Sequence, residues 1–424
     1  LAGHGMKVSG RYSKSTLLWM AVFVFLPLID LLTGYMISND RLAAGSVASP
    51  SQWGRILLVY ILVTYSLHHK GITSYILVLL AFCFLTEIIA GMLVGSLSGF
   101  IYGVVTLSKM MCFVLACYIS IPSQQERLKV FSMFKIGVAL MGLSIVLAFL
   151  TSTGEPTYGS GGFGTKGFFA SGNAIGVFLG SSLLILVHVW GSNKALVSLS
   201  LLLLLLGSLV LVASKTALIY AGINLVMILI GQGIKGFKII IYSIILILLA
   251  VFVDLAKVGQ IGEVILDIII KRYNNADGDI LLFLGSGRSD FLIDAFNQSE
   301  RDFNVIKLIM GGGAFASFQD FSAVKMADVL EMDGFDVLFM YGLPGIMLYG
   351  LSWAMLLYRN RQFNLMMLAC LMMLLHSAVA GHVFFNGLLI QLVIVINVIS
   401  GLDGKVLGSQ NFRRTVLANS EGPS

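Results

Sequence analysis

Twelve apolar runs divide the chain, and most approach the ~20 residues a helix needs to cross a bilayer. They are Thr16–Met36, Ile56–His68, Ser74–Gly95, Ile101–Ile121, Phe134–Thr151, Asn173–Trp190, Ala195–Ala213, Thr216–Ile230, Phe237–Ala256, Gly334–Tyr358, Phe363–Val379 and Val383–Leu402. The second and eighth are short. None shows the polar–apolar alternation of the roughly 10-residue strands in a membrane barrel. Lipid offers no water to satisfy an open backbone. The reading is therefore all-α: a polytopic integral membrane protein with about 12 transmembrane helices. Only 11% of the 424 residues are charged, against about 25% in a soluble domain. That excludes a soluble enzyme, a disordered chain and a nucleic-acid-binding domain.

The charges are unevenly placed. Between Asp254 and Asp336 lie 14 acids and 7 bases, while the remaining residues carry 20 bases and 7 acids. The net charge of +6 therefore sums an acidic extramembrane segment and the basic ends of apolar runs, and nucleic acid is not an expected partner. Lys7, Arg11 and Lys14 mark the amino terminus as cytoplasmic by the positive-inside rule. Every second connection then repeats the sign through Lys70; Arg127 and Lys129; Lys194; Lys235 and Lys238; Arg359 and Arg361; and Lys405, Arg413 and Arg414. Both termini then fall in the cytoplasm, and the acidic segment lies outside, which in a bacterium means the periplasm.

The resulting organisation is as follows. Residues 1–5, ahead of Met6, read as a cloning remnant. Residues 6–256 hold helices one to nine, with an outer glycine-rich loop at 152–172. Residues 257–333 form a periplasmic segment, with an amphipathic helix at Ile261–Arg272, a second helix at Ser289–Met310, and turns at Asn274–Asp279 and Gly311–Gly313. Residues 334–402 hold the last three helices, and 403–424 a cytoplasmic tail. The four cysteines lie inside apolar runs and read as small buried side chains. No Cys/His spacing suggests a metal site, and no cofactor is expected.

Ionisable residues inside lipid are functional candidates because they are costly there. Asp30, Glu87, Lys109 and Lys215 are the clear cases. Glu87 and Lys109 fall at similar depth in neighbouring antiparallel helices, at about 1.5 Å per residue. An ion pair between them is expected, structural or substrate-linked, and Asp30 could join it. Lys215 sits at an outer helix mouth, either snorkelling to the interface or facing an anionic substrate. Arg288 either forms a solvated salt bridge with Asp290 or Asp294, or grips a phosphate with its planar fork. Lys166 is a lone cation among glycines, which let backbone N–H groups approach a ligand. Glu331, Asp333 and Asp336 cluster where a helix opens. One can serve as an N-cap, and a carboxylate there can act as general base on a sugar hydroxyl. His376 and His382 flank the last outer turn.

Four stretches carry a family resemblance. They are Lys166–Asn173 (KGFFASGN), Ala213–Ala217 (ASKTA), Gly285–Arg288 (GSGR) with Leu308–Gly313 (LIMGGG), and Glu331–Asp336 (EMDGFD) with Leu338–Gly345 (LFMYGLPG). In that order they resemble the O-antigen polymerases (Wzy) within the Wzy/WaaL superfamily, over roughly Thr151 to Tyr358. The resemblance implies a GT-C-like membrane glycosyltransferase. Its donor and acceptor would be undecaprenyl-pyrophosphate-linked oligosaccharides in a membrane lipid setting, with an active site on the periplasmic side. A chain-length regulator and a flippase would be partners. The superfamily's ligases use a basic residue of a short Ser-Arg type motif, a loop arginine and a histidine. By motif these fall on Lys215, Arg288 and Asp333, the implied catalytic residues. Lysine in place of arginine and aspartate in place of histidine are departures, and the second favours a polymerase over a ligase. Lys166, Asn173, Glu331, Asp336, Arg272 and His382 are the candidate substrate contacts.

Two alternatives stand beside the polymerase. An O-antigen ligase would move finished glycan to lipid A–core. An ion-coupled transporter would use Glu87, Lys109 and Asp30 as relay groups, although no Gly/Pro-broken helix pair recurs in matching halves.

Overall fold

A computed structural model describes residues 14–42, 49–66, 70–157, 164–192, 197–232, 292–293, 309–315, 317, 332–362, 364–381 and 383–402. Helix dominates them. The helices are α1 (Lys14–Ser38, π-helical over Ala21–Phe25), α2 (Pro50–Ser66), α3 (Lys70–Val94), α4 (Leu97–Tyr118), α5 (Gln124–Thr151), α6 (Gly172–Ser192), α7 (Leu199–Val212), α8 (Lys215–Gln232), α9 (Asp333–Asn360), α10 (Asn364–Ala380) and α11 (Gly387–Ser400). Among the described residues six helices are long and apolar enough to cross a membrane: α1, α3, α4, α5, α6 and α9. Helices α7, α8, α10 and α11 are apolar and shorter. The expected ninth run, Phe237–Ala256, lies outside the described residues.

Burial sorts the helices into centre and periphery. In α6 83% of the apolar window is inside the protein, against 28% in α1 and 33% in α3. Tyr75, Val78, Met92 and Leu93 of α3 are exposed apolar side chains. In water such a surface would be a liability; in lipid it is the solvated face. The centre is tight because small residues let backbones meet. Gly176 and Gly180 of α6 sit against Ala217 and Tyr220 of α8. Asn224 of α8 donates to the Gly180 carbonyl at 3.1 Å.

Two long helices contain proline, and each resolves the lost hydrogen bond in its own way. Pro27 has no N–H for the carbonyl four residues back. The chain shifts to π register there, with the Leu26 amide on the Ala21 carbonyl. Gly137 of α5 leaves room for the displaced Phe23 carbonyl. In α9, Pro344 cannot serve the Met340 carbonyl, and Gly342 takes a left-handed φ of 58°. The amides of Gly312 and Gly313 serve instead, donating to the Phe339 and Met340 carbonyls, both at 2.9 Å. The Gly311–Gly313 turn is thus an inserted piece of the helix bundle, locked to α9 by the proline's missing donor. Thr86 of α3 donates to the Met310 carbonyl at 2.8 Å from the other side.

Contacts fix which helix ends lie together. Glu126 at the start of α5 accepts from Trp19 near the start of α1 at 3.1 Å and from Tyr65 at the end of α2 at 2.7 Å. Arg359, at the end of α9, meets the end of α4 and Asn397 of α11. The opposite end holds the end of α1, whose Tyr35 stacks edge-on to Phe168 at 5.2 Å. There too lie the starts of α6, α8, α9 and α11. The loop after α5 is not simply irregular: Glu155–Pro156 and Thr165–Gly167 pair as a two-stranded antiparallel hairpin. We call the two ends the hairpin end and the arginine end.

Candidate functional site

The hairpin end gathers two of the sequence stretches into one unit. Thr157 donates to the Val212 carbonyl at 2.6 Å. Gly164, with φ 99°, lies against Ala213 and the Val212 carbonyl, where a side chain would collide. Ser214 donates to the Gly172 carbonyl at 3.1 Å, and its oxygen accepts the Ala217 amide, capping α8. Thr216 donates to Asn173 Oδ1 at 3.3 Å. Ala213 turns the chain in a left-handed conformation, φ 52°. These bonds place Lys166, Asn173 and Lys215 at one end of α6 and α8, 49 residues apart in sequence at the extremes. Lys166 Nζ reaches the Ala170 carbonyl at 3.4 Å and stays partly open. An anion approaching the start of α8 would meet a helix N-terminus and a lysine together.

Asp333 and Asp336 open α9 at the same end, on the far side of α6. Both are buried, 1% and 2% exposed. Asp333 Oδ2 accepts from Ser377 Oγ at 2.6 Å and from the Val383 and Phe384 amides at 3.0 and 2.9 Å. It therefore ties the start of α9 to α10 and to the turn before α11. Asp336 Oδ2 reaches back to the Met332 amide at 3.2 Å, satisfying a donor at the helix start. The two lysines and the two aspartates thus share an end of the bundle but are held by different partners, the lysines beside the starts of α6 and α8 and the aspartates by α9, α10 and the turn before α11. Arg288, Arg272, Glu331 and His382 lie outside the described residues.

The expected Glu87–Lys109 pair does not form. Glu87 Oε1 accepts the Ala314 amide at 2.9 Å. Gly103 of α4 and Gly313 leave room for its carboxyl. The carboxylate serves the inserted loop. Lys109 instead lies within electrostatic reach of Asp30 and Arg55. Asp30 and Arg55 face each other at 3.8 Å, both largely covered. Arg55 also donates to Gln52 at 2.8 Å and lies against Gly387 at the start of α11. The counted depths do not match in the fold: Glu87 lies opposite Gly103 of α4, six residues or about 9 Å along the helix from Lys109. Arg55 escaped the sequence reading because it precedes the apolar run Ile56–His68 by one residue. The helix begins five residues earlier, at Pro50, and draws the arginine into the bundle.

Among the described residues no three His, Cys, Asp or Glu side chains converge to hold a metal ion. Comparisons with protein families, with curated proteins and with solved structures found no match.

Proposed function

We propose that the protein is a membrane glycosyltransferase that polymerises undecaprenyl-pyrophosphate-linked O-antigen repeat units on the periplasmic face of a bacterial inner membrane. The observation that supports this reading is the joining of Lys166–Asn173 to Ala213–Ala217 at the hairpin end, which brings two lysines and a helix N-terminus to one end of the bundle, a combination suited to a diphosphate. A diphosphate leaving group gathers negative charge as its glycosidic bond breaks. Cations held in place stabilise that charge most in the transition state, typically by a few kcal/mol each. Lys215 and Arg288 take that role, with Lys166 and Asn173 on the donor.

Asp333 receives the proton of the acceptor hydroxyl. Three donors on Oδ2 hold its carboxyl in one orientation. Glu331, Asp336, Arg272 and His382 complete the acceptor side. Holding two lipid-linked substrates side by side supplies the orientation term.

A strain lacking the protein tests the reading through its surface glycan. A single repeat unit on lipid A–core supports the polymerase. Free lipid-linked polymer beside bare core would replace it with the ligase. Asp333→Asn is expected to abolish elongation while lipid-linked substrate still binds, and a chelator is expected to leave elongation unchanged. One observation favours the transporter: Asp30, Arg55 and Lys109 form a charged group inside the bundle. Substrate-dependent ion flux in sealed vesicles would support that reading.

A further inference from the structure

The arginine end holds a second site, unconnected to the hairpin. A half-open cavity of about 250 Å3 is lined by Ser120, Arg127, Arg359, Asn397, Ser400 and Gly401 together with apolar neighbours, and among the described residues by no carboxylate. Arg359 Nη1 donates to the Cys117 and Ile119 carbonyls at 3.0 and 3.4 Å and to Asn397 Oδ1 at 3.3 Å. Arg127 Nε donates to the Ile121 carbonyl at 2.6 Å. The bland role of both arginines is thereby filled: Arg359 answers the Cys117 carbonyl freed where α4 ends, Arg127 answers a carbonyl of the loop that follows, and cations suit helix C-termini.

That role uses one nitrogen of each guanidinium. Among the described residues no hydrogen bond engages the others, and both side chains line the cavity. The Arg127 guanidinium lies so close to Gly401, at the end of α11, that a Cβ there would stand 2.5 Å from Nη1. The acid next in the chain, Glu126, is occupied by Trp19 and Tyr65. Arg361 adds charge at the same end, stacked on Tyr358 at 4.3 Å. Two planar forks with spare N–H groups around a small hollow are suited to a tetrahedral oxyanion.

We propose that this cavity binds a phosphate group, clasped between Arg127 and Arg359. The group comes either from an anionic phospholipid headgroup, since the apolar helices α9 and α11 end here, or from a soluble phosphate. The site stands apart from the proposed catalysis, and its test needs no turnover.

Purified full-length protein in neutral detergent is titrated with inorganic phosphate and, separately, with a short-chain phosphatidylglycerol, and thermal unfolding is followed. Saturable stabilisation by the lipid at concentrations at least tenfold below those of phosphate assigns the headgroup; equal or stronger stabilisation by phosphate assigns the soluble source. Arg127→Gln is expected to weaken binding at least tenfold. Arg127→Lys, which keeps the charge and loses the fork, should fall between. Gly401→Ala, which displaces the guanidinium without removing it, should weaken binding as well. No saturable stabilisation by either ligand, or binding unchanged in both Arg127→Gln and Gly401→Ala, overturns the proposal.

Discussion

Asp333 joins three segments through one oxygen, and its removal exposes what that oxygen does. Asp333→Ala strands the Val383 and Phe384 amides and leaves the Ser377 hydroxyl with Tyr349. Each buried donor without an acceptor costs about 1–3 kcal/mol. The variant should lose several degrees of thermal stability, whereas Asp333→Asn, which keeps one accepting oxygen, should lose less. Equal stability of the two would mean that Oδ2 anchors nothing. The group of Asp30, Arg55 and Lys109 makes a second residue-scale prediction. Asp30→Asn leaves two cations facing each other in the bundle, so it should destabilise more than Asp30→Asn combined with Lys109→Met. A double-mutant cycle reads the difference, and additivity would separate Lys109 from the pair. Charge placement was only half legible in the sequence. Residues can be counted along one helix, but how far neighbouring helices are shifted along each other depends on packing, so Glu87 lies opposite Gly103 and meets the loop at Ala314, not Lys109.

At the scale of elements, proline and glycine decide how α9 is built. Gly313 has φ 79° and lies against Ala90, so Gly313→Ala combines a disfavoured backbone with a clash. It is expected to destabilise by about 2 kcal/mol or more, a left-handed backbone alone costing roughly 1–2 kcal/mol for an L-residue. Gly350, also associated with α9, has open space where a Cβ would go. Gly350→Ala should be neutral or stabilising within about 1 kcal/mol. Comparable losses at both positions, read by thermal unfolding in detergent, would remove the special role of the inserted loop. The sequence showed a turn at Gly311–Gly313 and a helix from Gly334. It did not show that the turn supplies the donors Pro344 lacks, because that pairing joins residues about 30 apart, beyond any local pattern. The hairpin after α5 was missed for a related reason. Two short strands in a glycine-rich loop carry no hydropathy period, and their pairing rests on a few bonds.

For the whole molecule, apolar runs were the dependable signal, since a spanning helix declares itself by local composition alone. The meeting of Lys166–Asn173 with Ala213–Ala217 is a property of the folded bundle. Its ends make a direct topological prediction. Cys83, Cys112, Cys117 and Cys370 are buried and should resist labelling. Single cysteines introduced as Lys166→Cys and Arg361→Cys should react with an impermeant maleimide from opposite sides of the membrane. Labelling of both from one side would contradict the arrangement of ends described above. The account as a whole turns on glycan elongation. Protein reconstituted in liposomes with undecaprenyl-pyrophosphate-linked repeat units should yield a ladder of longer lipid-linked glycans on a gel, and Lys215→Ala should reduce it at least a hundredfold. A single unextended band with the intact protein, under conditions where the substrate is accessible, would contradict the account.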